Sequence, residues 1–276
     1  MIIQNQEKFK EAIKKDGINS LHILADFDRT ITYSTDKEGN NVSSVISILR
    51  DNDFLDKDYS KKAKELFGKY HPIEIDRKIS LEEKRERMKE WWETHNKLLI
   101  ESSLTKNDLE KAIEISHVRI RKGIKEFMEK LDKLNIPLVI ISSSGAGEMI
   151  SILLKKENLL LKNILIITNE FKWDKNGKAV GLKNSIIHCL NKDETILKDN
   201  PEIFKKIENR KNVLLLGDSL GDLGMITGFD YNNLLKIGFL NPGEEQNEEE
   251  YRNNFDIILT NDSDALEINN LIDELK

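Results

Sequence analysis

At 276 residues the chain is long enough for one large domain or for a core carrying a smaller inserted one, and its 38% apolar residues fall in periodic blocks that exclude wholesale disorder. A net charge of −6, with Lys and Arg interleaved among Glu and Asp, argues against a nucleic-acid surface, and the single cysteine, Cys189, excludes an intramolecular disulfide. No apolar run approaches the roughly 20 residues of a membrane span, and the first 20 residues read as an amphipathic helix rather than a leader, so a cytoplasmic protein, monomeric or weakly oligomeric and with no membrane partner, is expected.

Residues 21–25 form a short apolar run that reads as a buried strand, followed at once by Asp26-Phe27-Asp28-Arg29-Thr30. Residues 31–41 are polar and turn-rich, with Gly39-Asn40 marking a reversal. The strand-helix rhythm then breaks. From 42 to about 120 the apolar spacing is helical (Val45, Ile46, Leu49; Ala63, Leu66, Phe67; Leu81, Met88, Trp91, Trp92; Leu109, Ile113) and reads as a helical insertion. Ser80 with Glu83 predicts a capping box, and Thr105 before Asp108 predicts a second helix start. Beyond the insertion, helices are expected over 124–134, 148–156 and 201–208, and strands over 138–141, 164–168, 213–216, 234–240 and 255–259. Asn176-Gly177 predicts a hairpin turn within 171–180. This alternation implies an α/β fold with a mostly parallel sheet and right-handed crossovers.

Side chains alternate along a strand, so Asp26 and Asp28 share a face while Phe27 points away. On its own that pair has two readings: a Mg²⁺-assisted phosphoryl-transfer site, or an acidic turn after a strand. Parallel strands deliver their carboxyl ends to one edge, which gathers Asp26 with the turns at 142–147 and 217–222. Asp26 and Asp218 could then supply hard oxygen ligands, while the turn serines and backbone N–H groups ahead of the helix near Gly147 could hold an anion. A lysine is still needed to offset phosphate charge.

The ordered set Asp-x-Asp-x-Thr at 26–30, an apolar strand ending in serines at 142–144, an isolated Lys192, and Gly217-Asp218 followed by Asp222 resembles the haloacid dehalogenase superfamily. More closely, the chain resembles the cytosolic class III (pyrimidine) 5′-nucleotidases. That likeness runs from about Ile18 to Ile268 through Ile73-Glu74-Ile75-Asp76, Trp91 to His95, Ile136-Pro137, Ile187-His188 and Phe255-Asp256-Ile257-Ile258-Leu259. The resemblance implies a Rossmann-like parallel sheet with helices on both faces, a catalytic core at 1–32 and 121–276, and an inserted α-helical cap at 33–120. It also implies Asp26 as nucleophile, Asp28 as general acid/base, and Mg²⁺ on Asp26, Asp218 and the Asp28 backbone carbonyl. Asp222 would hold metal-bound water or orient the lysine. Ser143 and Lys192 would grip the phosphate with the Ser144 N–H, Glu74 would face the base of a nucleoside monophosphate, and Thr94 would lie near the nucleotide. This chain has Ser142-Ser143-Ser144-Gly145 where the family has an aromatic or apolar residue before Ser-Ala-Gly, and Thr94 where the family has serine.

The expected activity is Mg²⁺-dependent hydrolysis of pyrimidine nucleoside 5′-monophosphates through an aspartyl-phosphate, with phosphotransfer to another nucleoside as a possible accompaniment. The alternatives are a phosphatase for phosphoserine or a sugar phosphate, and a catalytically silent nucleotide-binding protein. The five histidines lack metal-ligand spacing and read as packing or surface residues. Trp91 and Trp92 read as insertion core, since adjacent helical residues point apart, Cys189 reads as a small buried residue, and the acidic run 244–250 as a solvated face.

Overall fold

The computed structural model of the chain describes all residues except 1, 43, 53, 56, 77, 194, 195, 198, 229 and 276. Helix α1 (Ile2–Asp16) leads into strand β1 (Leu21–Ala25), and the helices α2 (Val45–Asp51), α3 (Lys57–Ile75), α4 (Leu81–Glu101) and α5 (Lys106–Ile115) follow before the next strand. After them come α6 (Ile124–Lys133), β2 (Leu138–Ile141), α7 (Glu148–Lys156), β3 (Ile164–Ile167) and a two-stranded hairpin, β4 (Phe171–Trp173) with β5 (Ala179–Leu182). Helix α8 (Pro201–Ile207), β6 (Asn212–Gly217), β7 (Asn233–Leu240), α9 (Glu248–Asn254), β8 (Ile257–Thr260) and α10 (Leu266–Glu274) complete the order.

Six strands form one sheet in the order β3-β2-β1-β6-β7-β8, every pair parallel. Both faces are covered, so the strands are apolar throughout rather than alternating. Period-two alternation instead divides them between two cores. Leu21, Ile23, Ala25, Leu138 and Ile140 pack with Phe9, Ile13, Phe127 and Ile268 on one face, while Leu24, Val139, Ile141, Val213 and Leu215 pack with Ile207, Met225 and Tyr251 on the other. Phe27 is fully buried in the first of these cores, as its alternation from Asp26 requires.

The four helices α2 to α5 follow one another with no strand of the sheet among them. Their inner residues Val45, Leu49, Leu98, Leu99 and Leu109 join the first core, and Tyr70, Met88 and Trp91 make a small cluster of their own. The capping expectations are reversed in strength. Thr105 and Asp108 make the complete reciprocal box, whereas Ser80 accepts from the Glu83 N–H and no return bond from Glu83 to Ser80 is formed.

The chain leaves and re-enters the sheet region through two linkers that are stapled together. Thr32 pairs with Ile120, the Tyr33 N–H donates to Arg119 O at 3.0 Å, and the Arg121 N–H donates to Ile31 O at 2.9 Å. The Arg121 guanidinium is wholly buried. It donates to the carbonyls of Thr30 (3.1 Å), Arg29 (2.7 Å) and Thr32 (3.1 Å) and pairs with Asp262 at 3.0 Å. Asp262 in turn accepts from the Ser34 and Thr35 N–H groups. The segment directly after Asp28 is therefore fixed to the far end of β8 by a buried charge.

Two stability predictions follow from buried ionisable groups. Removing one partner of a buried ion pair leaves the other uncompensated, so Arg121→Met should lower the unfolding free energy by about 3–5 kcal/mol in urea denaturation, and a loss below about 1 kcal/mol would contradict this role. Burial pulls His95 down to about 4 from an ordinary 6.5. The unfolded chain therefore protonates first as pH falls, and the stability held above pH 6.5 is lost progressively toward pH 4, by about 2–3 kcal/mol for this one group. His95→Asn should flatten the pH dependence of the urea midpoint across that window.

Candidate active site

Strand register brings the chemistry together. Ala25, the last residue of β1, is level with Ile140 of β2 and Leu216 of β6, so Asp26, Ser142 and Asp218 emerge at one edge of the sheet. The Asp26 N–H continues the ladder onto Leu216 O at 3.0 Å, and the Ser142 N–H onto Ile167 O at 3.0 Å. Gly217 ends β6 because a Cβ there would lie 2.5 Å from the Asp222 Cβ; only glycine lets the turn fold Asp222 back against the strand. Asp222 Oδ2 accepts from the Asp218 and Ser219 N–H groups and from Ser219 Oγ, at 2.9–3.1 Å, which leaves Oδ1 free to face the site.

Lys192 fills the space between the strand ends. Its buried ammonium donates to Asp222 Oδ1 at 2.9 Å and to Asp26 Oδ1. Burial works to lower Lys192, but Asp222 and Asp26 outweigh it and hold the ammonium charged. Burial raises the Asp26 carboxyl, against the pull of the same lysine. Asp28 is half-buried and pushed up to about 6 by burial, opposed by the N–H of Val45, the first residue of α2, which donates to Asp28 Oδ1 at 3.0 Å.

Carboxylate oxygens of Asp26, Asp218 and Asp222 lie within 4.8 Å of one another. Burial, with Asp222 and Asp26 close by, raises Asp218 well above its ordinary value, and its carboxylate takes no hydrogen bond or ion pair from any described residue. Four acids thus face one buried ammonium and the half-exposed Arg29. A surplus of hard oxygen donors, one of them lacking a donor of its own, fits a divalent cation such as Mg²⁺. Expected as a whole set, Asp26, Asp28, Lys192, Asp218 and Asp222 converge here.

The serine turn is arranged differently from expectation. The Ser144 N–H, expected to face an anion, donates to Ser142 Oγ at 3.1 Å, and Ser144 Oγ is buried without a partner. Ser143 is half-buried at the tip of the turn. Asn169 organises this loop: its Nδ2 lies within hydrogen-bond distance of the carbonyls of Ser143 (3.3 Å), Ser144 (3.1 Å) and Ile187 (2.8 Å), and its Oδ1 accepts from the Ile187 N–H at 2.8 Å. It thereby ties the serine turn to the segment that carries Lys192. Sequence reading missed Asn169, although it follows the end of β3 as the other site residues follow theirs. Tyr251 was missed as well; from the acidic run's helix α9 its hydroxyl donates to Asp218 O, and Glu244 in the same run lies 3.5 Å from Arg29.

Besides the Val45 N–H on Asp28, the insertion reaches this edge through Trp92, Glu74 and Arg85. Trp92, expected in the insertion core, does pack against the core, and its ring also lies 2.6 Å from where a Cβ on Gly145 would be, so it rests on the serine turn as well. It also stacks on Trp91 at 5.6 Å, because large rings span the angle between adjacent helical positions. Glu74, in the last turn of α3, lies 3.2 Å from His71 Nδ1 and beside Cys189, three residues from Lys192; burial works to raise it, but those hydrogen bonds hold it below its ordinary range. Arg85 Nε donates to Leu190 O at 3.0 Å in the same segment. Thr94 is exposed and donates to Glu90 O at 2.7 Å within its own helix, away from these contacts.

The chain is similar in sequence and fold to known proteins. A sequence profile of the pyrimidine 5′-nucleotidase (UMPH-1) family matches residues 29–276. The 7-methylguanosine phosphate-specific 5′-nucleotidase A of Xenopus laevis is 34% identical over 261 residues, covering 94% of this chain and 89% of that protein. A crystal structure of cytosolic 5′-nucleotidase IIIB bound to cytidine superposes with a TM-score of 0.88 at 28% identity, over 98% of this chain and 90% of the other. A substrate-bound phosphoserine phosphatase shares the fold at a TM-score of 0.53 and 20% identity, over 93% of this chain and 98% of that one.

Asn169→Ala removes hydrogen bonds worth about 1 kcal/mol each that hold the serine turn. It is expected to lower kcat/KM for phosphate-ester hydrolysis about tenfold or more, and unchanged steady-state kinetics would contradict the positioning role.

Proposed function

The chain belongs to the pyrimidine 5′-nucleotidase (UMPH-1) family and is a phosphomonoester hydrolase of the 5′-nucleotidase type, and from that premise we propose that it hydrolyses pyrimidine nucleoside 5′-monophosphates with Mg²⁺ among Asp26, Asp218 and Asp222, through a phosphoryl-Asp26 intermediate. The observation that carries this reading is the Lys192 ammonium clasped between Asp26 and Asp222, with Asp28 two residues along and the serine turn opposite.

When bound, Mg²⁺ supplies positive charge that offsets the acidic cluster and the phosphate. An Asp26 carboxylate oxygen bonds to phosphorus as the bond from phosphorus to the 5′-oxygen breaks. Asp28, whose raised affinity for a proton suits a general acid, protonates that leaving oxygen and the nucleoside departs. The Asp28 carboxylate then takes a proton from water, whose oxygen attacks phosphorus; the bond from phosphorus to Asp26 breaks, and inorganic phosphate leaves. Lys192 and the Ser143 hydroxyl hold the phosphate oxygens, and Asp222 orients the lysine. A nucleoside in place of water as acceptor would give phosphotransfer.

Residues 33–120 act as the cap over a core of 1–32 and 121–276, with Glu74 toward the base and Thr94 at the rim. A second reading, 7-methylguanosine monophosphate as substrate, is favoured by the specificity named for the Xenopus relative and by Phe67 and Trp91, which cluster with Cys189 beside Glu74, since a methylated, positively charged base gains from ring faces and a carboxylate.

Phosphate release in excess Mg²⁺ should be measured for CMP, UMP, 7-methyl-GMP and phosphoserine. Nucleoside monophosphates are expected to exceed phosphoserine in kcat/KM by at least about 100-fold, an advantage equal to roughly 2.7 kcal/mol of transition-state binding. Comparable turnover of phosphoserine would overturn the substrate assignment. Glu74→Gln is expected to raise KM for the preferred nucleotide more than it changes kcat.

A further inference from the structure

The amino-terminal edge of the sheet, opposite the acidic cluster, carries a cavity of about 300 Å³. Its apolar floor is Pro137 and Leu165, and its walls include Lys162, Asn163, Lys206 and Arg210. Pro137 precedes β2, Asn163 precedes β3 and Arg210 precedes β6, so the cavity opens at the entry ends of strands whose exit ends build the active site.

Three cations line this cavity and no carboxylate does. None of Lys162, Lys206 and Arg210 forms an ion pair with a described residue, whereas the adjacent Lys211 is neutralised by Asp230 at 2.8 Å. Arg210 is also fixed in place. Its Nη1 donates to Leu21 O at 2.9 Å and its Nη2 to Asn135 O at 3.0 Å, so a rigid guanidinium is held by carbonyls and carries a full uncompensated charge. Asn163 adds a second kind of group: its Nδ2 donates to Ile136 O at 3.0 Å, while its Oδ1 is buried without a partner.

Like charges repel across one concave surface, the exposed Lys162 and Lys206 less than the half-buried Arg210, and an anion relieves them; the chain as a whole has a net charge of −6, yet this wall has no acid. The volume suits a small molecule rather than a helix or a strand of nucleic acid. We propose that this cavity is a second ligand site, separate from the substrate site, that takes a phosphorylated small molecule. Lys162, Lys206 and Arg210 bind its phosphate groups. Asn163 Oδ1 accepts a hydrogen bond from a hydroxyl or amino group on the remainder, which rests on Pro137 and Leu165.

The test is isothermal titration of the full chain in excess Mg²⁺ with inorganic pyrophosphate and, separately, a nucleoside diphosphate. Wild type is compared with K162Q/K206Q and with a control pair of exposed hairpin lysines, K172Q/K175Q. Arg210 is left intact because its side chain also holds two backbone carbonyls. The double variant should lose at least tenfold in affinity for both probes, the control pair should match wild type, and nucleotide hydrolysis should stay within twofold of wild type in both. Unchanged affinity in K162Q/K206Q, or equal loss in the control pair, would overturn the site. Tighter binding of the nucleoside diphosphate than of pyrophosphate, abolished by Asn163→Ala, supports the role given to Asn163. Equal binding of the two probes overturns that role and makes free polyphosphate the occupant. Binding of either probe at the substrate site is left intact in K162Q/K206Q, because both lysines line the cavity at the opposite edge of the sheet, so the difference between the variants and not the probe alone reports on this cavity.

Discussion

The Lys192 ammonium, buried between Asp26 and Asp222, is the contact on which the rest of the site depends. A lone charge at that depth is strongly unfavourable, so the lysine stays charged only because two carboxylates reach it from different strands. Those carboxylates meet because β1 and β6 are adjacent, parallel and in register at their ends. Gly217 allows Asp222 to fold back, and Asp222 is then anchored by its own turn. The sheet thus places opposite charges where a phosphate ester would find both a cation and a carboxylate.

A second buried charge holds the frame around the first. Arg121 binds three carbonyls in the segment after Asp28 and pairs with Asp262 beyond β8, at the point where the two linkers of the insertion run side by side. The insertion is therefore anchored where it leaves the core and touches the site again through Trp92, Arg85 and the Val45 N–H. That arrangement links the helices to the chemistry through one backbone N–H, one guanidinium and one aromatic ring, without the insertion contributing a carboxylate to the acidic cluster.

The strands were legible because each is a short apolar run buried on both faces and ended by polar turn residues, and the insertion because its spacing changed from that pattern to the helical one. The acidic corners were legible for the same reason: parallel strands bring their carboxyl ends together, so Asp26, Asp218 and Asp222 could be grouped without a structure. What was not legible depends on neighbours distant in the chain. Asn169 looks like any asparagine after a strand until Ser143, Ser144 and Ile187 surround it. Trp92 can lie against the serine turn as well as the core only because position 145, distant in the chain, has no side chain. The acidic run gave no sign that Tyr251, directly after it, would reach the Asp218 carbonyl. The Ser144 amide could not be assigned from sequence because the competing acceptor, Ser142 Oγ, belongs to the same tripeptide.

The most direct test of the account is chemical trapping during turnover. Rapid acid quench with a nucleoside monophosphate, followed by borohydride reduction and peptide mass spectrometry, converts a phosphorylated aspartate to homoserine at the residue that carried the phosphate. The account predicts homoserine at position 26 and nowhere else. Turnover with no modification at Asp26, or with modification at Asp28 or Asp218 instead, would contradict it.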